Sequence, residues 1–545
     1  VIRNPFHFDI VGGGFYTVFN SSMVKNVDFY SGGFPARFGD RLSAVMVIDN
    51  KEGNRDHVNG EFSLSMSDVK ALIEIPLPYS ASTILSVRRS YFDILLGGTG
   101  FGAEYDLIPY FYDINSKTDM KINNHRLSFN FLYSQEKLSG EFDEPHWVGM
   151  HNWSSDNWTI GMGIKSLINQ SFSSDLNLYW SSVNSLANHA DGAGLEDMQE
   201  SEIAIKEDLT YINKNHELHT GFWYVIDISD IDINLPIDLA YNFEPTDFSV
   251  TGSSTKLSAY ADDTWKPRSW LSLNYGLRSD YVISSSELVI SPRLNLVITP
   301  TDKLQLTANI GTYSQSPPAY ELKDNSALES RKSKAIGVGL NMQLSESVYG
   351  NMEIYKKSFS NLMSFDSTGH FLNEGYGNVT GYELYIQKKS GDSFVGWLSY
   401  TYSVAKRKEG LSDQLALFDY DRTHMFTSVL QYRRNEKWKF GLKFRYATGS
   451  PYTPAEGGIY NSNLNKYYPI VGERNSERYM PYHRLDIRIA RIFPDVLNGL
   501  IVYIETVNTY NRQNVAYLIW NDDFSSSRSF SIFPFLPVLG IDLSL

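Results

Sequence analysis

The last seven residues of the chain alternate between apolar side chains and small or polar ones up to the terminus. Successive side chains of a β-strand point to opposite faces, so Leu539, Ile541, Leu543 and Leu545 share one face. The opposite face carries only Gly, Asp and Ser. Because the same alternation recurs along most of the chain, the sequence predicts one closed sheet with an apolar outside and a polar inside.

Comparable alternation is found in six further stretches. They are 125–133, 175–180, 271–278, 303–310, 439–446 and 485–489. Their polar faces include full charges such as Lys443, Arg445 and Arg488, which a sandwich core would not tolerate but a wet lumen would. A soluble propeller is the alternative, but a propeller repeats a blade motif every roughly 40 to 50 residues, and no such repeat is found.

The composition agrees with a membrane barrel. Aromatic residues make up 14% of the 545 residues, and such residues collect at the two interfaces of a barrel with lipid. No apolar run approaches the roughly 18 to 20 residues that a spanning helix needs. The chain has no Cys, which excludes disulfides and thiolate metal sites, and its net charge of −14 argues against binding nucleic acid.

Short turn signals alternate with long polar segments. Pro300–Lys303 and Asn435–Lys437 are typical of tight hairpin turns. Five segments are too long for such turns: 139–158, 186–200, 229–256, 312–331 and 450–481. Dividing the chain after residue 57 by about 22 residues per strand and connection gives on the order of 22 strands. We therefore predict an all-β fold, a transmembrane antiparallel β-barrel over residues 55–545.

Residues 1–54 do not fit the barrel pattern. They contain Gly12–Gly14 and the Gly32–Gly33 pair, which permit tight turns between short strands. We interpret this segment as part of a compact domain that precedes the barrel and lies inside it. The start, Val1–Pro5, has neither the basic nor the apolar region of a signal peptide, so we expect residue 1 to fall in the middle of a longer protein.

The run Val24–Gly53 resembles the C-terminal part of the plug domain of TonB-dependent outer-membrane receptors, through the string Gly32-Gly33-Phe34-Pro35-Ala36-Arg37-Phe38-Gly39 and the residues that follow it. Further segments are similar to barrel motifs of this family, in the expected order. They are Ala259–Trp265 with Asn274–Arg278, Ser316–Leu322 with Leu328–Ser333, Asn373–Glu383, Asp421–His424, Tyr482–Asp486 and Glu505–Asn508. The resemblance covers essentially the whole chain.

The resemblance implies an outer-membrane location in a Gram-negative-type bacterium, and TonB with its inner-membrane motor as the partner. Two features depart from the family. The family's plug is longer than 54 residues and begins with a TonB-binding box that is not found here, so TonB is expected to bind through an upstream segment. The chain also ends in Leu545, where the family more often ends in an aromatic residue.

The resemblance further implies a lock between plug and wall, in which plug arginines meet barrel glutamates. Arg37 and Arg41 are the plug candidates, and Glu383 and Glu505 are the wall candidates. The neighbours of both glutamates are apolar, which places the two carboxylates on the lumen side. The alternative is that the two arginines are ordinary solvated charges.

The long segments are the candidates for ligand binding, because they combine flat rings with a few hydrogen-bond donors. The candidate residues are Trp147, His151, Trp153, Tyr460, Tyr467 and Arg474. The alternative is that these rings belong to the interfacial girdle or pack between loops. We predict no metal site and no cofactor. His146 and His151 are the pair of residues that we considered as metal ligands.

No catalytic constellation is found, so the chain is not expected to be an enzyme. We predict a receptor that binds a scarce substrate at its outer loops and imports it with force from the inner-membrane motor. The substrate class stays open among iron chelates, cobalamin, oligosaccharides and peptides. Two other functions also stay open: a passive channel, and a barrel without energised uptake that serves as a docking component, with a surface lipoprotein as a partner.

Overall fold

The computed structural model describes residues 2–8, 16–94, 108–139, 150–189, 195–235, 246–366, 369–389, 393–410, 414–462, 466–532 and 534–544. The N-terminal part forms two small antiparallel pairs of strands, β1 Phe6–His7 with β2 Tyr16–Thr17 and β3 Val24–Tyr30 with β4 Val45–Asn50. Neither pair is joined to the large sheet that follows. The first strand of that large sheet begins at Asn59.

Within the described residues, 22 long strands form one closed ring in which each neighbouring pair is antiparallel. They are β5 Asn59–Ser65, β6 Asp68–Leu77, β7 Ala81–Ser90, β8 Ile108–Ile122, β9 His125–Ser139, β10 Met150–Leu167, β11 Phe172–His189, β12 Leu195–Ile212, β13 His216–Leu235, β14 Thr246–Arg268, β15 Leu271–Val282, β16 Glu287–Thr301, β17 Leu304–Gln315, β18 Arg331–Gln343, β19 Val348–Phe365, β20 Phe371–Lys388, β21 Phe394–Lys408, β23 His424–Asn435, β24 Trp438–Ala447, β29 Tyr482–Phe493, β30 Leu500–Val507 and β33 Leu536–Ser544. The prediction of a barrel of about 22 strands is confirmed.

The ring closes between its last and first strands, where β33 pairs with β5 from Gly540 opposite Ser65 to Ser544 opposite Glu61. The short strand β22, Ala416–Leu417, extends the edge of β21. A sheet without a free edge leaves no unpaired backbone groups facing lipid, which is the condition for spanning a bilayer with strands. Among the described residues, no helix has the length and apolar character to cross a membrane.

The two faces of the wall have opposite character, as the alternation predicts. On β16, Leu288 and Ile290 are 60% and 55% exposed on the outer face, whereas Ser291 and Arg293 are buried on the inner face. The C-terminal strand follows the same rule, because Leu539 is exposed on the outside. Five of the six alternating stretches lie within a barrel strand, and the sixth, 303–310, begins one residue before β17.

The connections alternate between two rims. One rim, which we call the turn side, has short turns such as 302–303 and 436–437, as predicted. The other rim, the loop side, has the long connections 316–330 and 448–481. The first of these contains a short helix, Ala319–Asp324. The connections on the loop side also contain β25 Pro451–Tyr452, β26 Ala455–Asn461, β27 Lys466–Val471, β28 Glu477–Arg478, β31 Asn514–Trp520 and β32 Ser527–Ile532.

Three of the predicted long loops are shorter than expected. The segment 229–256 was predicted as a loop, but β13 continues to Leu235 and β14 begins at Thr246. In the same way, β10 begins within 139–158, and β11 and β12 extend into 186–200. The polar composition of these segments shows that they leave the lipid, but ladder hydrogen bonds continue above the membrane because pairing does not require an apolar face.

The N-terminal segment lies inside the ring. Its residues contact inward-facing side chains on widely separated strands, through His7 on Asp113 of β8, Phe34 on Arg293 of β16 and Ser31 on Lys357 of β19. Only a segment in the lumen can reach inner faces on such distant parts of the ring. These residues form a partial plug, and the expectation of a folded segment in the lumen is confirmed.

The opposite character of the two faces gives a test with one pair of substitutions. Ile310→Lys places a charge on the lipid face of β17, where Ile310 is exposed, and we expect it to cost about 2–4 kcal/mol near the middle of the bilayer. Thr401→Lys on the lumen face, opposite Glu383 in the register, is the control and should cost much less. Unfolding of the receptor in urea, from phospholipid vesicles, measures both; equal losses would contradict the assignment of the faces.

Candidate functional site

One buried arginine of the wall donates hydrogen bonds to three residues of the plug. Arg293 on β16 donates from Nη1 to the carbonyl oxygens of Phe34, Pro35 and Phe38, over 3.1, 2.6 and 2.7 Å. Its guanidinium also lies over the rings of Phe34 and Tyr313, with its carbon 4.8 and 4.6 Å from their centroids. A guanidinium has several fixed donors and no acceptor, so it can bind several carbonyls of one turn. The Pro35 carbonyl also accepts the backbone N–H of Phe38 over 3.1 Å.

A second buried arginine approaches the same turn from β15. Arg278 is fully buried, and its Nε donates to both oxygens of Asp280, over 2.9 and 3.0 Å. A Cβ atom at Gly39 would lie 2.1 Å from this Nε, so a larger residue would have to displace the arginine. The glycine of the plug motif is therefore required by a close approach to the wall.

The carboxylate of Asp40 completes this side of the plug. Its Oδ2 lies 2.6 Å from the Lys256 ammonium on β14, and its Oδ1 accepts hydrogen bonds from the backbone N–H and the hydroxyl of Ser316, both over 2.8 Å. Burial alone would raise the pKa of Asp40, but the charges of Lys256 and Arg41 outweigh it and hold the pKa well below its usual range. Asp40 is thus an anion tied to both the wall and a loop-side connection.

Lys357 on β19 reaches the plug from another part of the ring. Its ammonium donates to the carbonyl oxygens of Ser31 and Ser43, the latter over 2.9 Å. These two residues lie on either side of the turn that Arg293 binds. Wall cations therefore hold the segment 31–43 mainly through its backbone carbonyls.

The first residues of the plug meet an acidic part of the wall. The ring of His7 is buried between Asp113 of β8, 2.7 Å from Nε2, and Glu136 of β9, 3.2 Å from Nδ1. It stacks on Phe111 with a centroid distance of 4.3 Å. Burial lowers the pKa of His7, but the hydrogen bonds and charges of the two carboxylates outweigh burial, so the pKa of His7 is raised. Next to it, Arg3 pairs with Glu200, Glu202 and Asp227.

The four residues of the predicted lock have other neighbours. The guanidinium of Arg37 lies over the ring of Phe38, and Arg41 is next to Asp40. Glu505 is 3.7 Å from Arg488 of its own wall, and Glu383 lies near Lys357. Among the ion pairs of the described residues, none joins Arg37 or Arg41 to Glu383 or Glu505. The plug and the wall are instead joined through Arg293, Arg278, Lys256, Lys357 and His7.

The predicted ligand residues lie in different surroundings. Trp147, together with His146, lies outside the described residues, and His151 lies in β10 where its side chain is not described. Trp153 is buried, with its ring 6.5 Å from that of Phe8 and its Nε1 donating to Ser185, so it packs against the plug.

Tyr460 and Tyr467 face each other on the hairpin of β26 and β27, with centroids 5.0 Å apart. Arg474 donates to the carbonyl oxygen of Glu409 over 2.8 Å and is 3.5 Å from Asp419, which ties two loop-side connections together. Ligand binding by these residues stays a prediction.

The wall residues that hold the plug were not selected from the sequence. Arg278 lies in a segment that resembles a family motif, and Arg293 and Lys357 lie on polar faces of barrel strands. Nothing local distinguishes them from other lumen charges, because their partners are backbone carbonyls more than 200 residues away. Among the described residues, no group of three or more potential ligands is placed to hold a metal ion.

Replacing Arg293 should increase the mobility of residues 31–43 of the plug. Arg293→Met removes the guanidinium donor from the carbonyls of Phe34 and Phe38, at about 1–3 kcal/mol for each buried acceptor that water does not reach, whereas the Pro35 carbonyl keeps the N–H of Phe38. We expect faster hydrogen–deuterium exchange in residues 31–43, measured by mass spectrometry, while the barrel strands are unchanged. Arg491→Met, on β29 beside Trp438, is the control and should leave the exchange of this segment unaltered; unchanged exchange in both variants would refute the role of Arg293.

The docking of His7 against Asp113 and Glu136 should depend on pH. Because the pKa of His7 is raised above its ordinary value of 6.5, its contribution to docking is fully present below pH 6.5 and is lost as the pH rises through the raised pKa. A nitroxide on Ile2→Cys, in a chain that otherwise has no Cys, should gain mobility between pH 6 and pH 9 in electron paramagnetic resonance spectra. The gain should vanish when His7→Gln is added; a gain of the same size would exclude His7 as the titrating group.

Comparison with known proteins identifies the family of this barrel and plug. The sequence model described as TonB dependent receptor-like, beta-barrel matches residues 79–496. No curated protein sequence matches the chain.

Solved structures are similar in fold at low sequence identity. The ferric citrate transporter FecA, in its unliganded form, is 14% identical, with a TM-score of 0.73 over 99% of this chain and 86% of that one. The ferric-catecholate import receptor Fiu of E. coli K12, in its closed form, is 14% identical, with a TM-score of 0.68 over 92% and 86%. The ferripyoverdine receptor of Pseudomonas aeruginosa, bound to ferripyoverdine, is 10% identical, with a TM-score of 0.72 over 98% and 78%. The chain belongs to the TonB-dependent receptor family of outer-membrane β-barrel proteins.

Proposed function

We propose that this receptor imports a scarce ligand across the outer membrane with force that TonB delivers from the inner-membrane motor. The observation that carries the proposal is the plugged lumen, in which wall cations hold the segment 31–43 by its backbone carbonyls. Such contacts are directional but can be replaced by water, which suits a segment that has to move and return. In this proposal residues 1–54 belong to the moving plug and residues 55–545 form the fixed wall.

A ferric chelate is the first candidate ligand. Three receptors of similar fold are named for ferric citrate, for ferric catecholates and for ferripyoverdine, so these ferric chelates are the first ligands to test. The passive channel has less support, because polar contacts on several strands hold the plug in the lumen. An enzyme is not proposed for a chain of this family.

Energised import is tested in cells. Cells that produce the full-length receptor should accumulate radioactive iron from at least one of ferric citrate, a ferric catecholate and ferripyoverdine. Accumulation should stop when TonB is deleted or the proton gradient is collapsed, while surface binding persists. Uptake that continues without TonB would support passive diffusion, and failure to accumulate iron from any of the three would refute a ferric chelate as the ligand.

The exposed tyrosine pair offers a test of the ligand loops. Tyr460 and Tyr467 present adjacent rings, tilted by 55° to each other, on the loop side. We expect Tyr460→Ala with Tyr467→Ala to weaken binding of the transported ligand about tenfold. The matched control is the pair Tyr452 and Tyr479, whose rings lie 4.5 Å apart on the same connection. Titration of the purified receptor with the ligand measures both; equal losses would indicate a general effect on the connection.

A further inference from the structure

Three exposed lysines lie on the outer surface of the barrel, close to the loop side. Lys334 is on β18, Lys356 is on β19 and Lys406 is on β21, and we call these residues the outer lysines. Ile336 follows Lys334 by two residues and Ile354 precedes Lys356 by two residues, and both isoleucines are exposed on the lipid face. Because side chains two residues apart share a face, Lys334 and Lys356 also point outward.

Lys406 points outward for a similar reason. In the register of β20 and β21, Tyr402 is opposite Tyr382, which is exposed on the outer face, and the two rings stack with centroids 5.3 Å apart. Lys406 lies four residues from Tyr402 on the same strand, so the alternation keeps both side chains on one face. The outer lysines therefore share the outer surface of the four consecutive strands β18–β21.

The strand register places the outer lysines at nearly the same height on the wall. Lys356 is opposite Ile336 on one side and opposite Thr380 on the other. The next row toward the loop side is a polar row of four residues that lie opposite one another across β18–β21: Lys334, Ser358, Asn378 and Lys406. Neighbouring strands are about 4.8 Å apart, so the two ends of this row are separated by roughly 14 Å. The two end lysines are thus far enough apart to bind separate anionic groups.

The outer lysines lie at the edge of the apolar band of the barrel. Toward the turn side, the row that follows Lys356 contains only apolar and aromatic residues: Val338, Ile354, Tyr382 and Tyr402. Aromatic residues collect where a barrel wall meets the lipid headgroups, so the outer lysines are at headgroup height. The long connections of an outer-membrane barrel are on its extracellular side, and these headgroups therefore belong to the outer leaflet.

The charges of the outer lysines are not neutralised by the protein. Among the described residues, no carboxylate forms an ion pair with any of the three. The neighbouring Lys332 differs, because it is 3.4 Å from Glu287 and 3.2 Å from Glu329. On the outer face of β20, Glu374 lies beyond the polar row, four residues from Asn378 toward the loop side. The polar row itself contains no carboxylate.

Another arc of the outer surface carries the opposite charge at the same height. On β13, Asp230 and Asp232 follow the exposed Ile228 toward the loop side, and both carboxylates are on the outer face. Asp232 is directly opposite Asp197 of β12 in the register. These carboxylates repel an anionic headgroup, whereas the outer lysines attract it. Binding of an anionic lipid is therefore expected at β18–β21 and not evenly around the barrel.

We propose that the outer lysines bind the phosphate groups of an anionic lipid in the outer leaflet. An ammonium group binds phosphate as a point charge without a fixed orientation, which suits the headgroup of a mobile lipid. Ser358 and Asn378 add hydroxyl and amide donors between the lysines. The acyl chains of the lipid lie on the apolar rows next to the polar row. This inference depends on the outer face of the barrel, so it is independent of the imported ligand.

The test uses the full-length receptor, purified in an uncharged detergent, and lipid A as the probe. Native mass spectrometry measures how much lipid A stays bound, in comparison with the same glycolipid after its phosphates have been removed. Because each lysine near a charged headgroup contributes about 1 kcal/mol, we expect lipid A to bind at least tenfold more tightly than the dephosphorylated form. Equal binding of the two lipids overturns the proposal.

Substitutions locate the binding on the outer lysines. The triple variant Lys334→Gln, Lys356→Gln and Lys406→Gln should bind lipid A at least tenfold more weakly than the unaltered receptor. The matched control removes the same charge from exposed turns on the turn side, through Lys214→Gln, Lys303→Gln and Lys437→Gln, and should leave binding unchanged. Folded migration in unheated gels shows that each variant keeps its barrel. Equal binding by the two triple variants overturns the proposal.

Two further measurements separate a lipid from other partners of the outer lysines. Inorganic pyrophosphate, which has phosphate groups but no acyl chains, should not displace lipid A at equal concentration; displacement would show a site for free anions and overturn the proposal. The same mass spectra report self-association of the receptor. Loss of a dimer in the triple variant, with lipid A binding unchanged, would show that the outer lysines contact a second copy of the chain and would also overturn the proposal.

Discussion

The closure of the sheet is the constraint on which the rest of the structure depends. A strand in lipid has to pair its backbone on both sides, and the ring achieves this only because β33 pairs with β5. The side-chain hydrogen bond from Ser63 to Asp542 joins residues 479 positions apart at this seam. Once the ring is closed, alternation places every second side chain inside, and the lumen becomes a polar cavity that other polar groups can enter.

The plug is held by the kind of contact that such a cavity can supply. Its segment 31–43 presents backbone carbonyls, and the wall presents Arg293, Arg278 and Lys357. A hydrogen bond inside a lumen contributes little net free energy because water could replace either partner, so the contacts specify position more than they add stability. This combination fits the movement that is proposed for the segment.

Charge is distributed unevenly around the lumen. The wall near β8, β9, β12 and β13 is acidic and is neutralised by His7 and Arg3 of the plug. The wall at β24 and β29 carries Lys443, Arg445 and Arg484, and Arg484 pairs with Asp486.

The sequence by itself determined the barrel, the number of strands and the sign of each face, because a period of two is a local property of the chain. It also indicated the plug, through glycines such as Gly33 and Gly39 that only a tight, close-packed turn requires. It placed the ends of β13 and β14 wrongly, since polar residues end contact with lipid without ending strand pairing.

Only the tertiary structure decided which charges meet. The sequence pointed to Arg37, Arg41, Glu383 and Glu505, but the plug is held by Arg293 and Lys357, whose partners are carbonyl oxygens that every residue possesses. Because every residue has a backbone carbonyl, the sequence does not show which carbonyls bind the wall. The partner of each is fixed by the register of strands hundreds of residues away. The alternation assigns a side chain to the lumen, but the closed ring decides what lies across from it.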